Sequence, residues 1–588
     1  MVKSFAIIGT GVTGTAVLTQ FTQQLAALHA RHKLPSGITI ATIDKHSVNG
    51  PGFPYDPEAT IPIHLLNHPA NEMGIKVVDE KGNEIAPGSK NSKRPSYHFW
   101  QTYDFVHWLQ EKREWIIANF PDLIVITHPD EDPTTWQPDA SRHYPRALFG
   151  YYMQDRFNEA TAGLQKIGVK VQHFNQSEVI DVKRRNSQLV ITLSNILTNK
   201  RQTITTDKLL LSTGRWARHF SNEPTSTVYF DTPFPAKPLV EKIKPNLSKQ
   251  GRSKRILVAG MGLTSLDALL TIAPGRFARD KQGVLQYKSG PRHPQFYMVS
   301  RNGFFPVVRG LPATLPPLRY VTEANLQVIR DAHHGYLTLA SLMPLFEKEL
   351  QANFGKDAKL KDYFLPNITP EEKLRKDFSK ALGGNVLFGL CRQVRSMFLT
   401  LQLTPEDRDR FLAEYKTLYI QNLASLPVVN AEKLLALFDA GVLQTIRLGK
   451  APTKIIAGKD SATLYYGDHQ SITVDYIINA TGDEVDIEKN QDPLLTTLLN
   501  AGEVVANKST YKANHVEHTR AAGIKVNNNY LVIKKDQRGK EIPSDNISAV
   551  GMLAAGWQPE KNFASASLEA AHVVVKDWMQ SLSHTKKH

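Results

Sequence analysis

A chain of 588 residues with a single cysteine, Cys391, can form no internal disulfide and holds no C-x-x-C pair. Electrons handled by such a chain cannot be relayed through cysteines of its own. Long apolar runs are also missing: no stretch reaches the ~20 residues of a transmembrane helix. The N-terminus lacks the basic segment, apolar core and cleavage site of a secretory leader. A cytoplasmic location without a membrane span is the expectation. His46, His64 and His68 fall close together, but their spacing matches no ligand pattern and no acid or thiol cluster accompanies them, so no metal is expected. Negative charge is scarce, with 56 Asp and Glu against 71 Lys and Arg, for a net charge of +15. Such an excess can serve a polyanion. No nucleic-acid motif goes with it, so the bases read as a solvated surface with a few serving phosphates, and no nucleic-acid partner is expected.

What is present is ordinary for a soluble globular chain, 41 % hydrophobic and 22 % charged, and long enough for two or three domains. The stretch FAIIGTGVTG, Phe5 to Gly14, reads as a buried strand entering a glycine turn that opens a helix. Gly9, Gly11 and Gly14 have the G-x-G-x-x-G spacing: one for the tight turn, one for close approach to a pyrophosphate, one for helix–strand packing. The helix start would offer free N–H groups and a positive dipole end to the phosphates. ITIATID then closes a second strand on Asp44, whose carboxylate can accept from an adenosine ribose, although it lies farther along than the usual ~20 residues. Residues 47–75, rich in Gly, Pro, Asn and His, read as a functional loop, and the aromatics of 96–120 as helical core. His143 to Gln165 reads as a helix with Arg146 near its start, within reach of a phosphate. Short alternating strands follow and end at Ser212, Thr213 and Gly214. Five prolines between Pro224 and Pro245 mark a linker, and the basic run Lys237 to Arg255 a solvated connector.

A second start repeats the grammar. RILVAGMGLTSLDALL places Gly260, Gly262 and Ser265 at the same spacing, and the next strand, QFYMVSRNG, ends in Ser300 and Arg301. An arginine where an acid would select NAD suits the 2′-phosphate of NADP. Residues 311–439 interrupt with a mostly helical insertion. TKIIAG, ATLYYG and VDYIINATG then complete the pattern at Thr481 and Gly482. Glycine turn, ribose-selecting strand end, small β-ribbon and apolar strand ending in Thr-Gly thus occur twice, which is more specific than either turn alone. The strand of NISAVGMLAAGW reaches Gly551 ahead of a closing helix, and the tail SHTKKH, from Ser583, reads as disordered.

The motifs GTGVTG, GPGFPYD with HLLNHPANEMG, HYPRALFGYYM, ILVAGMGLTSLD with SRNG, and INATG with DPLLTTLLNAG span nearly the whole chain. Together they resemble the FAD-NAD(P)-binding family that includes YdhS-like proteins and, more distantly, the N-hydroxylating amine monooxygenases. The resemblance implies an α/β chain with two Rossmann-like dinucleotide-binding domains, the FAD domain discontinuous and the NAD(P) domain inserted, with a helical insertion. Its divisions would be 1–235 and 483–588 for FAD, 250–310 and 440–482 for NAD(P), and 311–439 for the insertion. The cofactors implied are FAD and NADPH. The candidate cofactor-binding residues are Gly9, Gly11, Gly14, Asp44, Asn67, Arg146, Val179, Thr213, Gly214 and Gly551, with Gly260, Gly262, Ser265, Ser300 and Arg301 for the second nucleotide. The implied activity is that of an FAD-dependent, NADPH-using oxidoreductase, a flavin monooxygenase taking O2 and a small nucleophilic substrate such as an amine. The F-x-G-x-x-x-H-x-x-x-W signature of Baeyer–Villiger enzymes is absent. The alternative is a regulatory or redox-sensing protein that binds both nucleotides without turnover. No catalytic acid or base stands out: His143, Tyr55, Asn67 and Asp267 each have an ordinary structural explanation.

Overall fold

A strand whose residues are nearly all apolar must be covered on both faces, and in the strand Ser4–Ile8 the residues Phe5 to Ile8 are each at most 5 % exposed. The computed structural model describes residues 3–76, 81, 102–127, 132–214, 228–247, 253–273, 276–288, 294–310, 315–364, 366–394, 402–449, 454–482, 485–490, 492–513, 516–554 and 566–583. Ser4–Ile8 lies inside a six-stranded sheet in the order Leu531–Lys535, Glu541–Ala549, Lys208–Leu211, Ser4–Ile8, Thr39–Ile43, Lys170–Phe174. All neighbours are parallel except the edge strand Leu531–Lys535. The C-terminal part of the chain therefore completes the N-terminal sheet, with Ile547 opposite Leu209. The helix Val12–Ala30 packs against Arg146–Lys166 and the closing helix Ala566–Ser583. Phe5, Phe21 and Trp578 meet there with ring centroids about 5 Å apart, the favourable edge and tilted aromatic geometry.

The second sheet runs Leu443–Arg447, Gln295–Ser300, Arg255–Ala259, Tyr476–Asn479, Tyr229–Phe230, all parallel. Its strand order repeats that of the first around the glycine-turn strand. Each sheet also has a three-stranded antiparallel companion just ahead of its strand leading to Thr-Gly: Ser177–Arg185, Gln188–Asn195 and Arg201–Thr206 in one case, Lys454–Ala457, Ala462–Tyr466 and Gln470–Val474 in the other.

The proline-rich stretch read as a linker is corrected here. It contributes the strand Tyr229–Phe230 and the helix Ala236–Leu247. Leu239, Ile243 and Leu247 recur every fourth residue and are buried in the second core, and Pro238 sits in the first turn, where a missing N–H costs nothing. The same helix replaces much of the connector expected from Lys237 onward. The helical insertion has a core of its own, including Leu326, Phe346, Leu390 and Cys391, where burial pushes the Cys391 thiol up. The helix Val428–Asp439 packs instead in the second core, with Leu434 and Leu437 beside the sheet. Of the aromatic stretch, Phe105 and Trp108 are core, while residues 96–101 lie outside the described residues, as do 584–588 of the tail, whose first residue, Ser583, ends the closing helix. No helix among the described residues is long and apolar enough to cross a membrane.

Candidate functional site

At the first turn the chain must reverse beside the neighbouring strand end, and Gly9 does so at φ +89°. A Cβ there would stand 2.3 Å from the Ser212 carbonyl oxygen, so only glycine fits. Gly9 N–H donates to Ile43 O at 2.9 Å, and Ser212 Oγ donates back to Gly9 O at 2.7 Å. Gly14 lies where a Cβ would be 2.1 Å from that same oxygen. Gly11 faces Gly52 of the 47–75 loop, a would-be Cβ coming 3.2 Å from its Cα. Gly11 begins the helix Val12–Ala30 with no side-chain cap and no acid in the first turn, so the positive helix end is left to a ligand.

Asp44, at the end of Thr39–Ile43, is buried and fully engaged. Its Oδ2 accepts from Thr10 N and Oγ1, both at 2.7 Å, and its Oδ1 from His46 N at 3.0 Å and His46 Nδ1 at 2.8 Å. Burial alone would raise the carboxyl's pKa, but the bonds from His46 and Thr10 outweigh it and hold it below the usual range. The same bond to Asp44 pushes His46 up. Beside them Lys45 Nζ pairs with Glu178 at 2.7 Å and Asp492 at 3.1 Å.

The second turn repeats the first. Gly260, at φ +125°, could carry no Cβ, which would lie 2.5 Å from Ala480 O. Its N–H donates to Val299 O at 2.7 Å. Ser265 takes the third place, with Oγ donating to Ala480 O at 3.2 Å. Gly262 opens the helix Leu263–Ile272, again with no side-chain cap or acid, and a Cβ on it would meet nothing within 4 Å. At the end of Gln295–Ser300, Ser300 Oγ accepts from Gly303 N at 2.9 Å and Arg301 is exposed.

Two buried contacts fasten this second unit to the first. Arg146 forms an ion pair with Asp267 at 2.7 Å, while its Nε donates to Leu65 O at 3.1 Å. His64 Nε2 lies 2.8 Å from Thr271 Oγ1, and burial pushes this imidazole down to about 4, so it is neutral at ordinary pH. The insertion is fastened too: Glu72 Oε1 meets Arg309 at 2.6 Å and Arg392 at 2.9 Å, all three buried. Those guanidinium charges, with the bond from His68, keep Glu72 ionised against the cost of burial.

Between the units lies a cavity of about 440 Å³, within the range of small-molecule sites. Of the candidates, Gly9, Gly11, Asp44, Val179, Thr213, Gly214 and Gly551 line it. Gly14 packs behind Gly9; Asn67 lies in the loop outside the lining; Arg146 is directed to Asp267. Gly260, Gly262, Ser265, Ser300 and Arg301 stand outside it, yet their unit enters through Thr264, Asn479, Ala480 and Gly482. Of the other residues weighed, Tyr55 lines the cavity, and His143 is buried with Nδ1 donating to Leu66 O at 2.9 Å. Sequence reasoning missed His46, Phe53, Asp231 and Phe234 on the walls. GPGFPYD was a usable signal for Phe53, whereas Asp231 and Phe234 were hidden in the supposed linker.

Two mostly parallel sheets each lead through a glycine turn into an uncapped helix, and strand ends of both reach one cavity. Residues 6–216 match the model of the FAD-NAD(P)-binding family, as the motifs suggest. The chain is 23 % identical over 511 residues to the protein YdhS of Escherichia coli (strain K12), covering 82 % of this chain and 83 % of that protein. Its fold is similar to the reduced form of the ornithine hydroxylase PvdA from Pseudomonas aeruginosa, with TM-score 0.50, 14 % identity and 99 % and 100 % of the two chains covered. It is similar also to the L-lysine 6-monooxygenase from Pseudomonas syringae, with TM-score 0.50, 13 % identity and the same coverage.

Proposed function

We propose that this chain is an FAD-dependent, NADPH-using oxidoreductase, and within that class a flavin monooxygenase that takes O2 and a small nucleophilic, amine-type substrate. The observation that carries the reading is a cavity walled by strand ends of both glycine-turn units. FAD, when bound, would supply the electron transfer from NADPH to O2, and the protein would supply orientation, electrostatics and exclusion of water. The residues present fit such a group: Gly9, Gly11 and Gly52 put bare backbone on the cavity wall, and the uncapped helix start beside them leaves a place for a pyrophosphate. Gly9, Gly11, Thr213, Gly214 and Gly551 would hold FAD, with Gly14 keeping the helix close. Gly260, Gly262, Ser265, Ser300 and Arg301 would hold NADPH, Arg301 meeting its 2′-phosphate. Arg146–Asp267 and His64–Thr271 keep the second unit turned toward the first. Pro51 to Tyr55, with the insertion fastened through Glu72, would shield the reaction from water. The likeness to enzymes acting on ornithine and lysine supports an amine substrate.

The purified protein should be yellow, and NADPH should bleach its flavin under anaerobic conditions faster than NADH does. Protein that takes up no FAD would sink the proposal. FAD uptake without hydride transfer would mark a nucleotide-binding regulator instead.

A further inference from the structure

An ionised carboxylate accepts at about four lone-pair positions. Asp44 has filled its four from inside the protein, with Thr10 N, Thr10 Oγ1, His46 N and His46 Nδ1. Thr10 Oγ1 has one proton and also stands 2.9 Å from Asn49 Oδ1, but the charged carboxylate at 2.7 Å is the stronger acceptor and takes it. Asp44 borders the cavity, but with only 8 % of it exposed and its acceptor positions filled, a ribose could bond to it only by displacing a bond that holds the glycine turn or His46. His46 is differently placed. Its side chain is 38 % exposed and lines the cavity, and because an ionised carboxylate only accepts, its Nδ1 must carry the proton shared with Asp44. That fixes the tautomer and leaves Nε2 for a ligand.

We propose that His46, oriented by Asp44, meets the ribose hydroxyls of the adenosine half of the flavin nucleotide, and that Asp44 is a positioning residue which locks Thr10 and His46 together. A ribose hydroxyl both donates and accepts, so it can pair with Nε2 whether the imidazole is neutral or charged. Lys45, held by Glu178 and Asp492, borders the same end of the cavity. The inference rests on the FAD reading above.

The test is a fluorescence titration of the full-length protein, stripped of flavin, with FAD and with an FAD analogue lacking both adenosine-ribose hydroxyls. His46→Phe should weaken FAD about tenfold, the size of one hydrogen bond. The wild type should lose a similar factor with the analogue, and His46→Phe should bind FAD and the analogue alike. His46→Gln, which keeps an amide able to reach both neighbours, should recover part of the loss. If His46→Phe binds FAD as the wild type does, or if removing the hydroxyls costs variant and wild type the same factor, the assignment is overturned while the FAD reading stands. No FAD uptake by the wild type overturns both.

Discussion

At the first turn the third position is Gly14, where a Cβ would stand 2.1 Å from the Gly9 carbonyl oxygen; at the second it is Ser265, whose Oγ donates to Ala480 O at 3.2 Å. Both turns bring a hydroxyl to the gap between the glycine turn and the neighbouring strand end. In the first it comes from that strand end, through Ser212 to Gly9 O at 2.7 Å, and a Cβ on Gly14 would also crowd Ser212 Oγ at 3.1 Å. In the second the strand end is Ala480 and the hydroxyl comes from the helix. The third glycine of the motif is therefore demanded by how near the helix stands to the turn. Where the strand supplies the hydroxyl, the helix must be bare.

Breaking the first turn should have the largest effect. Gly14→Ala places a methyl against backbone that cannot swing aside, and overpacking of this kind should cost about 3 kcal/mol. Thermal unfolding should show it, together with loss of FAD uptake. A Gly14→Ala protein with wild-type stability would remove the distinction between the turns. Next in size, Arg301→Ala should weaken NADPH by about 1.5–3 kcal/mol, the worth of a charge-assisted phosphate contact, and leave NADH unchanged. Isothermal titration of both nucleotides reads the difference, and equal losses would take the 2′-phosphate away from Arg301. The smallest change is expected from Ser265→Ala, which removes one buried hydrogen bond and should cost about 1 kcal/mol in thermal unfolding without altering FAD uptake. A Ser265→Ala loss as large as that of Gly14→Ala would show that both third positions are equally constrained.

Much of this comparison was legible in the sequence, because strand, turn and helix are local patterns. Phe5 to Ile8 and Ile256 to Ala259 are apolar runs, and their glycines follow at fixed spacing. The proline-rich stretch misled for the same reason. Local punctuation signals a break, but burial of Leu239, Ile243 and Leu247 in the second core outweighs it. Val428–Asp439 falls within the stretch read as the insertion, and only the sheet it covers places it in the second core. Arg146 reads as a residue near a helix start within reach of a phosphate, and nothing nearby in sequence reveals Asp267 as its partner.

The sequence by itself determined where the two turns lie, which residues can line them, that the pattern occurs twice, and that no cysteine pair takes part. These follow from side-chain periodicity and from backbone conformations that few residues other than glycine adopt. The tertiary structure alone decided that the first turn and the strand end beside the second reach one cavity, that Arg146 joins the units, and that the carboxylate of Asp44 is used up within the protein, leaving the His46 ring to meet a ligand. Those outcomes depend on pairings between residues far apart in the chain, and on the cost of burying a charge, which a partner must offset and which no local pattern records.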